Sequence, residues 1–417
     1  MRSIPAAPIA TLALAMTLAL AMTLALAGCG SVTPSSPPPA ATPTPDPRPP
    51  AEIYAGIRAQ VIAIRGLEPT KEVEPVTLDE ADLRANLTAE FDRENTPDEL
   101  KLVEDLLITL GLLPAGTNLR TTMLDFQAGQ VAGYYSPEKD ELYVVNRSGG
   151  LGAIEQVTYA HEFTHQLQDQ AINLDSLGLD SIDQSDRALA HLALVEGDAV
   201  SIQSQWMLTN LTPEQLGQLL GSSLDPKALE ALQKAPPYVR ETAIFPYQDG
   251  LSFVTANVST GGYAALAAVY AAPPSSTEQI LHPEKYQAGE DPTSVVIPEG
   301  IKTALGTGWT VAAQDTLGEL ILRIWLNLAG VPRAEVNVAA AGWGGDRVVM
   351  LRGPNGAVGV GMITTWDTAA DAAEFATAAT MAVGTQSPAG VVASDGLRTV
   401  LVAVGDRAAD ILAALGD

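Results

Sequence analysis

Apart from one short stretch, apolar positions spaced three and four residues apart dominate the chain from residue 51 to about 286, a pattern typical of amphipathic helices. One helix is predicted with both of its ends. Thr96 suits the N-cap, Pro97 suits the first turn, and Gly111 stops the run. Further helical stretches are predicted over 153–170, 186–208, 209–236, 247–270 and 275–286.

Two other stretches favour strands. Residues 130–146 hold two short apolar runs around a polar turn, which predicts a β-hairpin. From about residue 335 the chain becomes rich in Ala, Val and Gly, with strands predicted near 347–351, 358–363 and 397–403 and helices near 367–381 and at the end. The expected fold class is α+β. A mostly helical domain with a small β-hairpin would span 51–334, its N-terminal part (51–125) helical, and a small α+β domain of unknown role would span 335–417.

The N-terminal region has a different character. Residues 1–28 form a short basic start, a long uncharged apolar run and a small-residue end, as in a secretory signal peptide. The sequence Leu26-Ala27-Gly28-Cys29 resembles the lipobox of bacterial lipoproteins. That resemblance implies lipidation of Cys29 and a mature chain that begins there. An uncleaved transmembrane anchor is the alternative, because the run is long enough to span a bilayer.

Residues 29–50 are rich in Pro, Ser, Thr and Ala and cannot form a core, so they predict an extended tether. We therefore expect an exported lipoprotein of the bacterial cell membrane, facing the extracytoplasmic side and touching the membrane only through its lipid anchor. The 417 residues include 49 acidic and 23 basic ones, a formal net charge of −26. A surface this acidic repels phosphates, which argues against a nucleic-acid partner.

The strongest chemical signal lies in the predicted helix 153–170. The chain has four histidines and one cysteine, so a disulfide framework and a multi-thiolate zinc site are excluded. His161 and His165 are four residues apart and project from one helix face, where both imidazoles can bind one ion. Glu162 directly follows the first histidine and can take a proton from water at that ion. The pattern predicts a site for one Zn²⁺ ion.

A catalytic zinc needs a third protein ligand, and a carboxylate downstream is the expected type. Glu196, in the sequence Glu196-Gly197-Asp198-Ala199 on the next predicted helix, supplies one. The two motifs together resemble the gluzincin zinc peptidases, although the gap between them is longer than in the best-known members. The resemblance implies a zincin-like fold, with His161, His165 and Glu196 as ligands and Glu162 as general base.

Three further residues are candidates for the site. Asp198 could accept the second N–H of a ligand imidazole, or could equally be a surface or capping acid. His282 or Tyr247 could donate a hydrogen bond to the oxyanion that forms in peptide hydrolysis. The alternative for His282 is a loop histidine that is merely ordered by neighbouring prolines. The segments around 247–254 and 273–286 also resemble uncharacterised bacterial exported proteins with a predicted gluzincin domain, a resemblance that covers about 75–345.

The sequence thus predicts a cell-surface zinc peptidase acting on a peptide or protein substrate. In zincins the substrate adds as a strand to a sheet edge near the metal, and Val131–Tyr135 or Leu142–Val145 could supply that edge. Two alternatives stay open. One is a non-catalytic lipoprotein binding module with a structural metal site, and the other is a metal-dependent hydrolase of a non-peptide bond. The oligomeric state is not indicated.

Overall fold

The computed structural model describes residues 45–130, 132–145, 150–179, 181, 183–222, 226–386 and 389–416. Cys29, the signal segment 1–28 and the tether up to residue 44 lie outside them, so the predictions made for those parts stay predictions. Within the described part of the chain, none of the helices combines the length and apolarity needed to span a bilayer.

Helices open the described chain. They are α1 (Pro50–Arg65), α2 (Glu80–Glu94), α3 (Pro97–Leu110) and α4 (Leu119–Gln130), with the short strand β1 (Pro75–Leu78) after α1. Helix α3 has the predicted ends. Thr96 and Glu99 form a capping box at its start, and Gly111 follows its last residue in the left-handed conformation.

A small three-stranded sheet precedes the histidine helix. The predicted hairpin is present as β2 (Gly133–Ser136) and β3 (Glu141–Val145), which pair antiparallel. Strand β1 pairs parallel to β3 on its other side, giving the order β1–β3–β2. The expectation that Leu142–Val145 could form a free sheet edge is therefore wrong, because β3 is the central strand. The other candidate edge falls on β2, and its first residue, Val131, lies outside the described residues.

The next helices form the middle of the protein. They are α5 (Ala153–Ile172), α6 (Ser185–Asn210), α7 (Pro213–Ser222), α8 (Pro226–Lys234), α9 (Pro237–Val258), α10 (Leu266–Ala271), α11 (Thr277–Leu281) and α12 (Pro283–Ala288). Helix α5 packs on β2 and β3 and on α1 and α6, while α6 also packs along α9. Helix α9 begins ten residues earlier than the predicted stretch 247–270, at Pro237.

Two glycines let α6 and α9 approach closely. A Cβ atom added at Gly197 would lie 2.2 Å from the backbone carbon and oxygen of Gly250. A Cβ added at Gly250 would lie 2.1 Å from the backbone oxygen of Ala193. The glycine in the Glu196–Ala199 motif is therefore required by helix packing.

A second sheet forms most of the C-terminal part. Its strands are β4 (Thr310–Asp315), β5 (Trp343–Arg352), β6 (Val358–Trp366), β7 (Val391–Ser394) and β8 (Thr399–Gly405). They pair antiparallel in the order β4–β5–β6–β8–β7. The accompanying helices are α13 (Ile301–Ala304), α14 (Gly318–Leu328), α15 (Arg333–Ala340), α16 (Ala369–Gly384) and α17 (Ala408–Leu415). Strand β4 joins this sheet from before residue 335, and the domain boundary stays a prediction.

The largest apolar core is shared by helices and sheet. It joins buried residues of α3, α6 and α9 to those of α14, α16 and strands β5, β6 and β8. A second core lies under α5 and includes Tyr54, Val157 and Trp206. The predicted α+β class, mostly helical with small sheets, is confirmed.

Candidate metal centre

Helix α5 places the two predicted histidine ligands side by side in the protein interior. Glu155 accepts a hydrogen bond from the backbone N–H of Gly152 at 2.9 Å and so caps the start of the helix. His161 and His165, one turn apart, have their Nε2 atoms 2.9 Å from each other. Their rings meet edge to face, with centroids 4.6 Å apart.

Glu196 on α6 completes a group of three ligand atoms. Its Oε2 lies 3.2 Å from Nε2 of His161 and 3.5 Å from Nε2 of His165. The three side chains are 0–1 % exposed. His161, His165 and Glu196 can therefore bind one metal ion together.

The hydrogen bonds around the imidazoles fit a metal ion. Nδ1 of His165 lies 2.8 Å from Oε1 of Gln168, and Nδ1 of His161 lies 3.3 Å from Oε1 of Gln203. An amide oxygen only accepts, so each Nδ1 carries the proton that it donates. The two Nε2 atoms and the Glu196 carboxylate face one another, and the cation that binds between them is either a metal ion or a second proton on His165. Two imidazoles and one carboxylate are ligands that suit zinc.

The electrostatics of the group agree with this geometry. Burial lowers the pKa of His161 and so keeps this imidazole neutral. Burial alone would raise the pKa of Glu196, but the two adjacent imidazoles lower it overall. Burial likewise opposes protonation of His165, yet the Glu196 carboxylate raises its pKa to about 9. The ionised carboxylate thus attracts positive charge into the space between the three side chains.

Asp198 acts on this group through a second side chain. Its Oδ2 accepts hydrogen bonds from Nε of Arg65 at 3.0 Å, from Nε2 of Gln168 at 3.0 Å and from the hydroxyl of Tyr270 at 3.1 Å. Arg65 and Asp198 form an ion pair in which neither side chain is more than 4 % exposed. Because Gln168 stands between Asp198 and His165, the carboxylate contacts the amide rather than the imidazole.

The two candidate oxyanion donors lie in different places. The ring of Tyr247 on α9 lies beside His161, with centroids 6.4 Å apart and the rings tilted by 24°. His282 lies between α11 and α12, and its Nε2 is 3.2 Å from Oε1 of Glu319 and 3.4 Å from the guanidinium of Arg323. The hydrogen bond that His282 donates to the Glu319 carboxylate raises the pKa of His282. Of the two candidates, Tyr247 is the one whose ring lies beside a ligand histidine.

A second group of carboxylates surrounds a lysine. Glu278, Glu290 and Asp367 offer three oxygen atoms close together. Nζ of Lys285 lies 2.6 Å from Glu278, 2.9 Å from Glu290 and 2.6 Å from Asp367. The ammonium group is therefore the cation of this cluster.

Sequence reasoning missed the residues that hold the ligands in place. Gln168 lies one turn after His165 and Gln203 lies two turns after Glu196, so helical spacing places each on the same helix face as a ligand but does not show its contact. Arg65 comes from α1, far away in the sequence, and nothing in its neighbourhood signals the contact. Nδ1 of His191, on the same helix as Glu196, lies 2.6 Å from the backbone oxygen of Leu177.

Comparison with known proteins adds one domain match and one weak structural likeness. Residues 308–411 match the profile of a domain of unknown function (DUF8575), which covers less than half of the chain. No curated protein matches the chain significantly. The chain is similar to a crystal structure from Chloroflexus aurantiacus, described as a candidate hydrolase with a novel fold, at 19% identity over 57% of this chain and 89% of that chain. The TM-score is 0.37, and so weak a superposition supports no argument about fold or activity.

Proposed function

We propose that this protein is a zinc-dependent peptidase that hydrolyses peptide bonds in a peptide or protein substrate. The observation that carries the proposal is the meeting of His161 Nε2, His165 Nε2 and Glu196 Oε2 within 2.9–3.5 Å of one another in the interior. Each imidazole is oriented by a glutamine through its other nitrogen. This donor set, together with the glutamate after the first histidine, supports the gluzincin resemblance.

A zinc ion bound at these ligands would supply a Lewis acid that polarises the substrate carbonyl and acidifies water. Glu162 follows His161 on α5 and is fully buried, and its charge acts on His165. In the proposed reaction Glu162 takes a proton from the water whose oxygen attacks the carbonyl carbon. It then delivers that proton to the amine nitrogen as the carbon–nitrogen bond breaks. Tyr247, beside His161, is the proposed donor to the oxyanion, with His282 the alternative.

The direct test is Glu162→Gln, assayed with a peptide library and by metal analysis of the same preparation. We expect the variant to retain zinc and to lose hydrolysis, because an amide cannot take the proton from water. Glu155→Gln is the matched control, since Glu155 is also buried on α5 but caps the helix start. It should keep its activity. Full activity in Glu162→Gln would contradict the assignment of the base.

A structural metal site is the second candidate function. The observation that favours it is burial, because the ligands are 0–1 % exposed and structural zinc sites are closed whereas catalytic ones keep an open position. A peptide hydroxamate separates the two candidates. Zinc-dependent binding of the hydroxamate supports the peptidase, and zinc that stays bound without taking the hydroxamate supports a non-catalytic binding module.

We further propose that the protein is an exported lipoprotein of the bacterial cell membrane, held on the extracytoplasmic side through Cys29. The sequence features of residues 1–50 support this, as does the acidic composition of the chain. Wild-type chain expressed in a bacterial host should incorporate labelled palmitate, and Cys29→Ala should not. A wild-type chain that lies in the membrane fraction without the label would favour the uncleaved transmembrane anchor.

A further inference from the structure

The hydrogen-bond network behind His165 has a fixed direction. Arg65 can only donate hydrogen bonds, and the Asp198 carboxylate can only accept them. Nε of Arg65 lies 3.0 Å from Oδ2 of Asp198, and both side chains are buried. At this end of the network, the end farthest from His165, the donor and the acceptor are therefore fixed, because no side-chain rotation can exchange their roles.

The same logic orients the Gln168 amide, whose oxygen and nitrogen could otherwise be exchanged. One end of the amide lies within 3.0–3.1 Å of the Asp198 carboxylate, the backbone oxygen of Val195 and the hydroxyl of Tyr270. The first two only accept, and the Tyr270 proton is donated to Asp198. This end must be the NH₂ group, so the amide oxygen faces Nδ1 of His165 at 2.8 Å.

We infer that Gln168 is a positioning residue that holds His165 with its proton on Nδ1 and its Nε2 directed at His161 and Glu196. Arg65 on α1 sets the direction of the network through Asp198. A neutral amide between Asp198 and the imidazole lets the chain anchor the ring without placing a second carboxylate directly against it. The inference rests on the proposed function only where it concerns bound metal.

Metal affinity is the first test, measured on the full chain by competition of Zn²⁺ with a chromophoric chelator. Gln168→Leu should weaken zinc binding about 10- to 100-fold, as loss of a residue that orients a metal ligand usually does. Gln166→Leu is the matched control, because Gln166 is a buried glutamine on the same helix that donates to the backbone oxygen of Lys71. It should change the affinity less than about 3-fold. Equal affinities in both variants would overturn the inference.

Reversing the polarity of the network is the second test. Gln168→Glu still offers an acceptor to His165 but sets a carboxylate against Asp198, so zinc binding should weaken. Adding Asp198→Asn restores a donor toward residue 168 and keeps the total charge, so the double variant should recover most of the lost affinity. A double variant that binds no better than Gln168→Glu alone would contradict the directional network.

The third measurement separates this inference from the proposed function. In the metal-free chain labelled with ¹⁵N-histidine, the Nδ1–H of His165 should exchange slowly with solvent, and His165→Gln identifies its signal among four histidines. The slow signal should vanish in Gln168→Leu and persist in Gln166→Leu. If it persists in Gln168→Leu, the inference fails. If wild type keeps the signal and binds no zinc, the proposed function fails while the role of Gln168 stands.

Discussion

Replacing Gly197 by alanine perturbs the crossing of α6 and α9, on which the geometry of the site depends. The added Cβ would lie 2.2 Å from the backbone carbon and oxygen of Gly250. Carbon contacts are ordinarily about 3.5 Å or longer, so the helices would have to separate by more than about 1 Å. The obstacle is backbone, which no change of side-chain rotamer can move away.

Two opposing terms set the size of the effect. Alanine in place of glycine within a helix is favourable by about 1 kcal/mol. Overpacking a close-packed interior costs about 3 kcal/mol at the upper end of its usual range, and a clash between two backbones belongs at that end. The expected net result for Gly197→Ala is a loss of about 2 kcal/mol of unfolding free energy.

Urea unfolding followed by circular dichroism measures this loss as a lower midpoint at unchanged slope. Gly217→Ala is the matched control, because Gly217 lies in helix α7 and a Cβ added there meets nothing within 4 Å. The control should be as stable as the wild type or more stable by about 1 kcal/mol. If Gly197→Ala were as stable as Gly217→Ala, the close approach of α6 and α9 would be refuted.

Three further results are expected. Burial raises the pKa of Asp186 from 3.8 to about 8, so between about pH 4 and pH 8 the folded chain binds a proton that the unfolded chain has lost. The free energy of unfolding of the wild type should therefore decrease as the pH rises through this range. Thermal unfolding of Asp186→Asn should show a smaller decrease. Arg65→Met leaves the buried Asp198 without its cation and should lower the free energy of unfolding in urea by about 3 kcal/mol. The control Arg120→Met breaks the exposed pair with Asp92 and should lower it by less than about 1 kcal/mol. Equal losses in the two variants would contradict this account of the buried pair. A chelator should lower the unfolding temperature of the zinc-loaded chain, and added zinc should restore it; an unchanged unfolding temperature would argue against a metal bound to the folded state.

The sequence patterns predicted helix α3 well because local rules decide its two ends. Helix α3 starts with a capping box at Thr96 and stops at Gly111, and both signals are read within a few residues. Strands β1 and β7 escaped prediction because each is only four residues long, and β1 is also defined by its pairing with β3, more than 60 residues later in the chain. A short run gives little periodicity to recognise.

The candidate ligands were predictable for the same local reason, since His161 and His165 share one helix face. The contact of Glu196 with the two histidines depends on how α5 and α6 pack, which the sequence does not show. Glu196 was predicted only because its motif resembles that of the gluzincins. The roles of Gln168 and Arg65 depend on side chains brought together from α1, α5, α6 and α10, and no spacing rule links those positions. The tertiary structure was needed to find them.

The most direct test of the central claim is a zinc titration of the metal-free full chain, run in parallel with Glu196→Gln. The account predicts one tightly bound zinc ion per wild-type chain and binding at least about 10-fold weaker in the variant, because a neutral amide is a poor zinc ligand. A wild-type chain that binds zinc no better than Glu196→Gln would contradict the assignment of His161, His165 and Glu196 as a metal centre.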